Sequence, residues 1–293
     1  MANKTAISWT GYTLNPIITG CTPVSPGCGR CWANDSAHRM KNNPNPKISN
    51  RYRFAFDFHV HRDLMAYDLE KFDKIGGVPK LVFLGSMTDL FQGRVPLDVL
   101  QAIVDKTQEN SQHYYMFLTK RPARMSRLLH DGLENIGPNL GFGTTIEMAE
   151  YQEDDRVIVL QDRAEYLADI KEAHPGNMTF VSYEPALGPL SRGEYTYFPD
   201  TSRLWGDLDK VDWIIAGGES GSDCRLPERR FDWFKEVRDF CVSHGVTFHY
   251  KQGGGNSYCK HSDHKAKGCR LLDGQLWDQF PRQILQHFGG RPF

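Results

Sequence analysis

The feature that most constrains the fold of this chain is a regular alternation of short apolar strands with helices. Strands of near-continuous apolar character are predicted over residues 80–89, 113–122, 139–147, 178–185, 211–221 and 246–254, and a shorter first strand over 12–20. Helices are predicted over 96–110, 154–174 and 228–245, the last of which ends on Gly245, a residue suited to a helix C-cap. Strands that alternate with helices in this way favour right-handed βαβ units and a parallel sheet.

The number of strands distinguishes two architectures. About seven strands, together with the lack of an early GxGxxG fingerprint, favour a full or partial parallel β/α (TIM-like) barrel over an open doubly wound sheet. The chain has 293 residues and is 40% hydrophobic, which is enough apolar material for a barrel-sized core. We therefore expect an α/β protein in which residues 1–293 form a single barrel domain and residues 254–293 a C-terminal extension of that domain.

Charge and cysteine usage narrow the class of protein. The 35 Lys and Arg residues nearly balance the 36 Asp and Glu residues, so a global positive field does not by itself indicate a nucleic-acid partner. The N-terminus shows no charged segment followed by an apolar one, and no apolar run approaches the roughly 18 to 20 residues that span a bilayer. We expect a cytoplasmic protein without a membrane partner, in which the seven cysteines are more often metal ligands or catalytic groups than disulfides.

Three of these cysteines lie in one short stretch, "GCTPVSPGCGRCW" (residues 20–32). Glycines and prolines between Cys21, Cys28 and Cys31 supply the turns that let one loop bring three thiolates together. A structural zinc site needs four ligands, whereas a 4Fe-4S cluster takes one thiolate per iron and would keep one iron open here. An open iron is what radical S-adenosylmethionine (SAM) chemistry requires. A zinc site completed by a remote residue, or simple buried cysteines, fits the spacing equally well.

A second stretch, "YCKHSDHKAKGCR" (residues 258–270), offers another set of metal ligands. Cys259, His261, His264 and Cys269 are a possible tetrahedral zinc set, although their spacing matches no standard finger and a flexible basic loop is the alternative. Arg51 and Arg53 in "NRYRFAF" alternate with aromatic residues, as in surfaces that stack and neutralise a nucleic-acid strand. Aromatic residues at this spacing are more often core residues.

Beyond these motifs, seven segments resemble a known family in sequence order. They are "WTGYTLNPIITGCTPVSPGCGRCWA", "LGSMTDLF", "LTKRPARM", "SYEPALGP", "IIAGGESG", "YKQGGG" and "LLDGQLWDQFP". Together they resemble a phage- and prophage-encoded family with a three-cysteine motif that is regarded as radical SAM-like. The resemblance implies a partial barrel whose 4Fe-4S cluster, bound by Cys21, Cys28 and Cys31, acts with SAM to generate a 5′-deoxyadenosyl radical. Two departures from the common motif are the first gap of six residues and the position of Trp32 after the third cysteine.

Polar residues at the predicted strand ends are the candidates for the rest of the site, because functional groups of parallel barrels come from the loops after the strands. The predicted cofactor contacts are Ser86, Asp89, Lys120, Thr145, Glu147 and Glu219. The predicted catalytic residues are Glu184, Glu219 and Lys251. For each carboxylate the alternative is a salt bridge to Lys120, Arg121 or Lys251 across the barrel mouth.

The function that the resemblance implies is that of a radical SAM enzyme, with an isomerase or mutase acting on an amino-acid-modified thymine of phage DNA as one candidate. Its expected partners are a flavodoxin- or ferredoxin-type electron donor and a modified nucleotide or DNA, in the host cytoplasm. Two functions of other classes stay open. One is a zinc-stabilised nucleic-acid-binding protein, and the other is a metal-independent β/α-barrel hydrolase with Glu184 and Glu219 as acid and base.

Overall fold

The computed structural model describes residues 3–154, 156–191, 205–220, 223–255 and 270–290, which divide into two compact units. The first unit comprises Met1–Phe142 with Gln283–Phe293, and the second comprises Gly143–Arg282. Eight strands belong to the main sheet, and the remaining strands form three two-stranded ladders. The expectation of a single domain over residues 1–293 stays a prediction.

In the first unit, the main-sheet strands follow the order β1, β2, β5, β6 and β7. Their bounds are Asn3–Lys4, Tyr12–Leu14, Leu81–Leu84, Tyr114–Thr119 and Leu140–Thr145. The β2–β5 and β5–β6 pairs are parallel, whereas β1 pairs antiparallel with β2. All four residues of β5 are buried, as expected for a strand of a parallel sheet covered on both faces.

Five helices of the first unit are α1 (Trp32–Lys41), α2 (Pro46–Arg51), α3 (Met65–Asp73), α4 (Leu97–Glu109) and α5 (Pro122–Asp131). Helix α4 lies where residues 96–110 predict it. The predicted first strand over 12–20 is wrong in its extent, because only Tyr12–Leu14 joins the main sheet. After it come Pro16, which has no N–H to donate, and Ile17 with a φ of 62°, so β3 (Ile18–Thr19) pairs instead with β4 (His59–Val60).

In the second unit, the main-sheet strands follow the order β10 (Met178–Tyr183), β11 (Trp213–Gly217) and β12 (Thr247–Gln252). The pairs β10–β11 and β11–β12 are parallel. Helix α7 (Arg230–His244) ends before Gly245, which confirms the predicted C-cap and adopts a left-handed conformation with a φ of 71°. Two antiparallel ladders, β8–β9 and β13 (Leu271–Leu272) with β14 (Gln275–Leu276), lie outside the main sheet, and α8 spans Arg282–His287.

The predicted helix over 154–174 is wrong in its first part. Strand β8 (Glu150–Glu153) turns at Asp154, which has a φ of 52°, and pairs antiparallel with β9 (Arg156–Val159). The consecutive β-branched residues of β9 suit this pairing better than a helix. Helix α6 begins only at Arg163 and ends at Ala173. None of the described helices is both long enough and apolar enough to cross a membrane.

Candidate functional site

The cysteine loop follows β3 and is held close to the segment that precedes β4. Gly20 has a φ of 75°, and a Cβ atom there would lie 2.2 Å from the carbonyl oxygen of Asp57, so this position requires glycine. The next residue, Cys21, donates its backbone N–H to the carbonyl of Phe56 at 3.2 Å. Cys28 lies in a 3-10 turn over Pro26–Arg30, and Cys31 directly precedes α1. All three cysteines are half-buried free thiols.

Two cations that follow β6 reach this loop. The Nη1 atom of Arg121 lies 3.8 Å from the sulfur of Cys21, and the Nζ atom of Lys120 lies 3.6 Å from the sulfur of Cys28. Burial raises the pKa of Cys28, but the Lys120 ammonium and hydrogen bonds from the loop outweigh burial and lower that pKa overall. Burial and the Asp89 carboxylate raise the pKa of Cys21, and Arg121 only partly offsets them. The loop therefore already holds one thiol biased toward the thiolate.

Asp89 fixes the position of Arg121. Its carboxylate accepts hydrogen bonds from the hydroxyl of Thr119 at 2.7 Å and from the backbone N–H of Phe91 at 3.0 Å. The same carboxylate pairs with Nη1 of Arg121 at 2.7 Å, while Nη2 donates to the carbonyl of Thr22 at 2.8 Å. Arg121 thus ties the cysteine loop to the end of β6. The two charged side chains are only 10% and 16% exposed, which strengthens their interaction relative to a surface pair.

The donor set fits a cluster better than a single metal ion. Among the described residues, no three His, Cys, Asp or Glu side chains are grouped tightly enough to hold an ion. A tetrahedral zinc would bring its sulfurs to within about 4 Å of one another, since each Zn–S bond is about 2.3 Å. A 4Fe-4S cluster spreads its thiolates, one to each iron. Three thiols on one loop, two of them beside cations, suit this larger, negatively charged group.

Ser86 is the remaining predicted contact of the first unit, and it lies after β5. Its hydroxyl donates to Oδ1 of Asn15 at 3.3 Å, and the same Oδ1 accepts the backbone N–H of Met87 at 2.9 Å. Arg124 donates to the carbonyls of Gln92 and Val95 and so braces the loop before α4. The structure therefore brings Asp89, Lys120, Arg121 and two of the cysteines into one network. The backbone N–H of Arg124 joins it by donating to the carbonyl of Arg121 at 3.1 Å, whereas the side-chain hydrogen bonds described for Ser86 go to Asn15.

In the second unit, each predicted carboxylate lies beside a cation. Oε2 of Glu147 is 3.3 Å from Nη1 of Arg163, which also donates to the carbonyl of Thr145 at 2.7 Å. Glu184 follows β10 and lies 2.8 Å from the Nζ atom of Lys251 in β12. The Glu184–Lys251 pair matches the salt-bridge alternative of the sequence analysis, whereas Glu147 pairs with Arg163, a cation that this alternative did not include. The roles of both carboxylates as cofactor or catalytic contacts stay predictions.

Glu219 is the most completely bound of these carboxylates. It accepts the backbone N–H of Arg225 at 2.6 Å and the Nε–H of the same residue at 3.0 Å, and it also pairs with Nη2. Its side chain is 5% exposed. Sequence reasoning missed both Arg163 and Arg225, because no motif marks them. The one sequence signal for this contact is the short separation of six residues between Glu219 and Arg225, which a turn can bring together. The zinc candidates Cys259, His261, His264 and Cys269 lie outside the described residues.

The chain resembles known proteins in its sequence profile and in its fold. The sequence profile of a family described as "Protein of unknown function (DUF5131)" matches residues 4–281. No curated protein matches the sequence. The fold is similar to that of two structures of spore photoproduct lyase, each 13% identical to this chain. One is complexed with dinucleoside spore photoproduct, and the other is a cysteine-to-alanine mutant with the same dinucleoside. The alignment covers 87% of this chain and 78% of theirs, with a TM-score of 0.50. This likeness concerns the fold, and it confirms the predicted α/β class with a partial parallel β/α barrel.

Proposed function

This chain belongs to the DUF5131 family, and from that premise and the cysteine loop we propose that it is a radical SAM enzyme with a 4Fe-4S cluster on Cys21, Cys28 and Cys31. The observation that carries the proposal is the placement of Lys120 and Arg121 within 4 Å of two of these sulfurs. Three thiolates outweigh the core charge of such a cluster, so that neighbouring cations stabilise it. Shared fold with spore photoproduct lyase supports the same class of chemistry.

A cluster held by Cys21, Cys28 and Cys31 would supply the single electron for reductive cleavage of SAM to methionine and a 5′-deoxyadenosyl radical. The residues of the chain bind and orient the reactants. We assign Ser86 and Lys120 to cofactor contact, and Asp89 to the same task through Arg121, which it holds in place. Thr145 and Glu147 complete the proposed contacts of the second unit.

Glu184 and Lys251 are the proposed substrate-handling pair. Their side chains are 13% and 26% exposed, so both solvent and a bound ligand can reach the pair. Oε1 of Glu184 lies 2.8 Å from the Lys251 ammonium. A polar group of the substrate can replace either partner of this ion pair. The proposed role of Glu219 is to hold the Arg225 side chain in position through the hydrogen bonds described above.

The proposed substrate is a nucleotide, with an amino-acid-modified thymine of phage DNA as the specific candidate and isomerisation of its side chain as the reaction. Support comes from the resemblance of the sequence to the phage-encoded family, and from the dinucleoside spore photoproduct that the structures of shared fold hold. The electron would come from a flavodoxin- or ferredoxin-type donor.

A hydrolase with Glu184 and Glu219 as acid and base is less well supported. The two residues do follow adjacent parallel strands, β10 and β11. Arg225, however, binds both oxygens of the Glu219 carboxylate. A group held as an anion in this way cannot donate a proton without losing those hydrogen bonds. The hydrolase also leaves the cysteine loop without a role.

Anaerobic reconstitution tests the proposal. Protein loaded with iron and sulfide should be brown, absorb broadly near about 400 nm as iron–sulfur proteins do, and release 5′-deoxyadenosine from SAM in the presence of dithionite. Cys28→Ala should abolish both the cluster and the product. Cys224→Ala is the matched control, because Cys224 is also a half-buried free thiol but lies outside the loop. Colourless, zinc-loaded protein, or a Cys28→Ala variant that keeps the cluster, would refute the proposal.

A further inference from the structure

The segment after the cysteine loop is strongly basic. Residues 30–54, which we call the basic arm, contain six Lys or Arg residues and a single Asp, although the whole chain has a net charge of −1. The exposed cations are Arg30, Arg39, Lys41, Lys47 and Arg53. The rest of the chain is consequently net negative, so the positive charge is concentrated on α1, α2 and the residues around them. A surface of this kind attracts a polyanion.

Two large aromatic side chains are exposed on the same arm. Trp32 is 52% exposed and Phe54 is 42% exposed. The guanidinium of Arg53 lies 4.7 Å from the centre of the Phe54 ring. Trp32 and Arg39 are seven residues apart in α1, which is about two turns, so they share one face of the helix. Exposed rings beside cations are the elements from which single-strand binding surfaces are built.

The basic arm packs directly against the cysteine loop. Ala33, Ala37 and Tyr52 form a small core with Met87, and Cys31 packs against that core. Arg51 is the one basic residue turned inward, since it pairs with the fully buried Asp68 at 2.8 Å. Arg51 is therefore an internal anchor of the arm rather than a phosphate contact. A ligand on the outer side of the arm would thus lie next to the loop that carries the thiols.

We propose that the basic arm binds single-stranded nucleic acid and presents it beside the cysteine loop. Unpaired bases offer faces that Trp32 and Phe54 can stack on, whereas a duplex covers those faces with neighbouring base pairs. Arg39 and Arg53 neutralise the phosphates that run past the two rings. The inference rests on the proposed nucleotide substrate and adds the form in which this substrate arrives, an unpaired strand rather than an intact duplex.

Binding of a fluorescently labelled oligothymidylate to the full chain, measured by anisotropy at several salt concentrations, tests this inference. Trp32→Ala and Phe54→Ala should each weaken binding about 5- to 150-fold, the range for loss of one stacked base. Phe54→Trp should retain binding, because it keeps an aromatic face. Arg39→Ala combined with Arg53→Ala should lower the slope of log affinity against log salt by about 1.4, or about 0.7 for each phosphate contact.

Tyr67→Ala is the matched aromatic control. Tyr67 is 55% exposed and lies under the Lys71 ammonium at 4.8 Å, but residues 63–74 contain four carboxylates and two lysines. Lys210→Ala is the charge control, since Lys210 is 59% exposed. Both should bind the strand as the wild type does. The inference would be overturned by equal losses in test and control variants, or by tighter binding of a duplex than of the single strand. It would also be overturned if the test variants lost binding to an acidic flavodoxin but still bound the strand as the wild type does.

The measurement separates this inference from the proposed function, because strand binding requires neither reduction nor cleavage of SAM. Protein that forms 5′-deoxyadenosine but binds no strand would refute the role of the basic arm alone. Protein that binds the strand through Trp32 and Phe54 but forms no 5′-deoxyadenosine would refute the radical chemistry alone.

Discussion

Lys120 shows how one residue can set the electronic properties of the proposed site. Its ammonium lies 3.6 Å from the sulfur of Cys28 and 3.2 Å from the hydroxyl of Ser25. A positive charge next to a thiolate ligand favours the reduced, more negative form of a cluster. Removing it should therefore make the cluster harder to reduce.

We expect Lys120→Met to shift the midpoint potential of the reconstituted cluster to a more negative value by roughly 40 to 60 mV, which corresponds to about 1 to 1.4 kcal/mol for one electron. An anaerobic redox titration followed by electron paramagnetic resonance measures the shift. Lys80→Met serves as the control, because Lys80 lies over the Tyr12 ring at 5.2 Å instead of beside a cysteine. An unchanged potential with full iron content would show that Lys120 does not act on the cluster.

Local sequence was sufficient to mark the cysteines and the cations after β6 as candidates, but it did not indicate their connections. The partners of Arg121 are Asp89 and Thr22, which are 32 and 99 positions away along the chain. No periodicity reports a contact over such separations, because the fold brings the strand ends together. The same holds for Arg163 and Glu147, 16 positions apart. The candidate site is therefore predictable as a set of residue types and not as a set of pairs.

At the scale of elements, the end of α7 allows a clean test of backbone conformation. Gly245 has a φ of 71°, and a Cβ atom added there would meet nothing within 4 Å. Any cost of Gly245→Ala is therefore conformational, and we expect a loss of about 1 kcal/mol in the free energy of unfolding. Gly176→Ala is the matched control, since its surroundings are equally open but its φ lies outside the left-handed region.

The control should be neutral or stabilise the protein by up to about 1 kcal/mol, because alanine reduces the entropy of the unfolded chain. Urea unfolding of both variants measures the two effects against the wild type. Equal changes at the two positions would contradict the assignment of a left-handed cap to Gly245.

The elements themselves were predicted unevenly, and the physical reasons differ. Strands of the main sheet from β5 onward were found because they are short, apolar and bounded by turns. Helix α1 was missed because it is polar and begins immediately after Cys31, where the glycine-rich loop predicts turns. Strand β9 was absorbed into a predicted helix because its valines and isoleucine continue the apolar pattern of α6. Pairing in a hairpin, which depends on the partner strand, decided its structure.

For the molecule as a whole, buried histidines predict how stability depends on pH. Burial and, to a smaller extent, the nearby Arg51 guanidinium lower the pKa of His61 to about 4. Burial also lowers the pKa of His113 to about 4 and that of His249 to about 3. In the unfolded chain these rings bind protons near pH 6.5. Between pH 6.5 and 4 the unfolded state thus holds more protons, and stability falls as the pH falls.

We expect a loss of roughly 1 to 3 kcal/mol for each histidine between pH 7.5 and 4.5, with little change above pH 7. His61→Gln should flatten part of this dependence, because glutamine does not titrate. Nε2 of His61 lies 2.9 Å from the hydroxyl of Thr19, and the side-chain amide of glutamine can replace this hydrogen bond. Urea midpoints measured across this pH range test the prediction, and identical slopes for variant and wild type would contradict it.

The cysteine loop and the cations that face it are made at different times during synthesis. Lys120 and Arg121 follow Cys28 and Cys21 by 92 and 100 positions. At translation rates of about 5 to 20 residues per second, the thiols leave the ribosome about 5 to 20 s before their basic neighbours leave it. The nascent chain therefore passes through an interval in which these sulfurs lack the neighbouring positive charges that later favour the thiolate at Cys28.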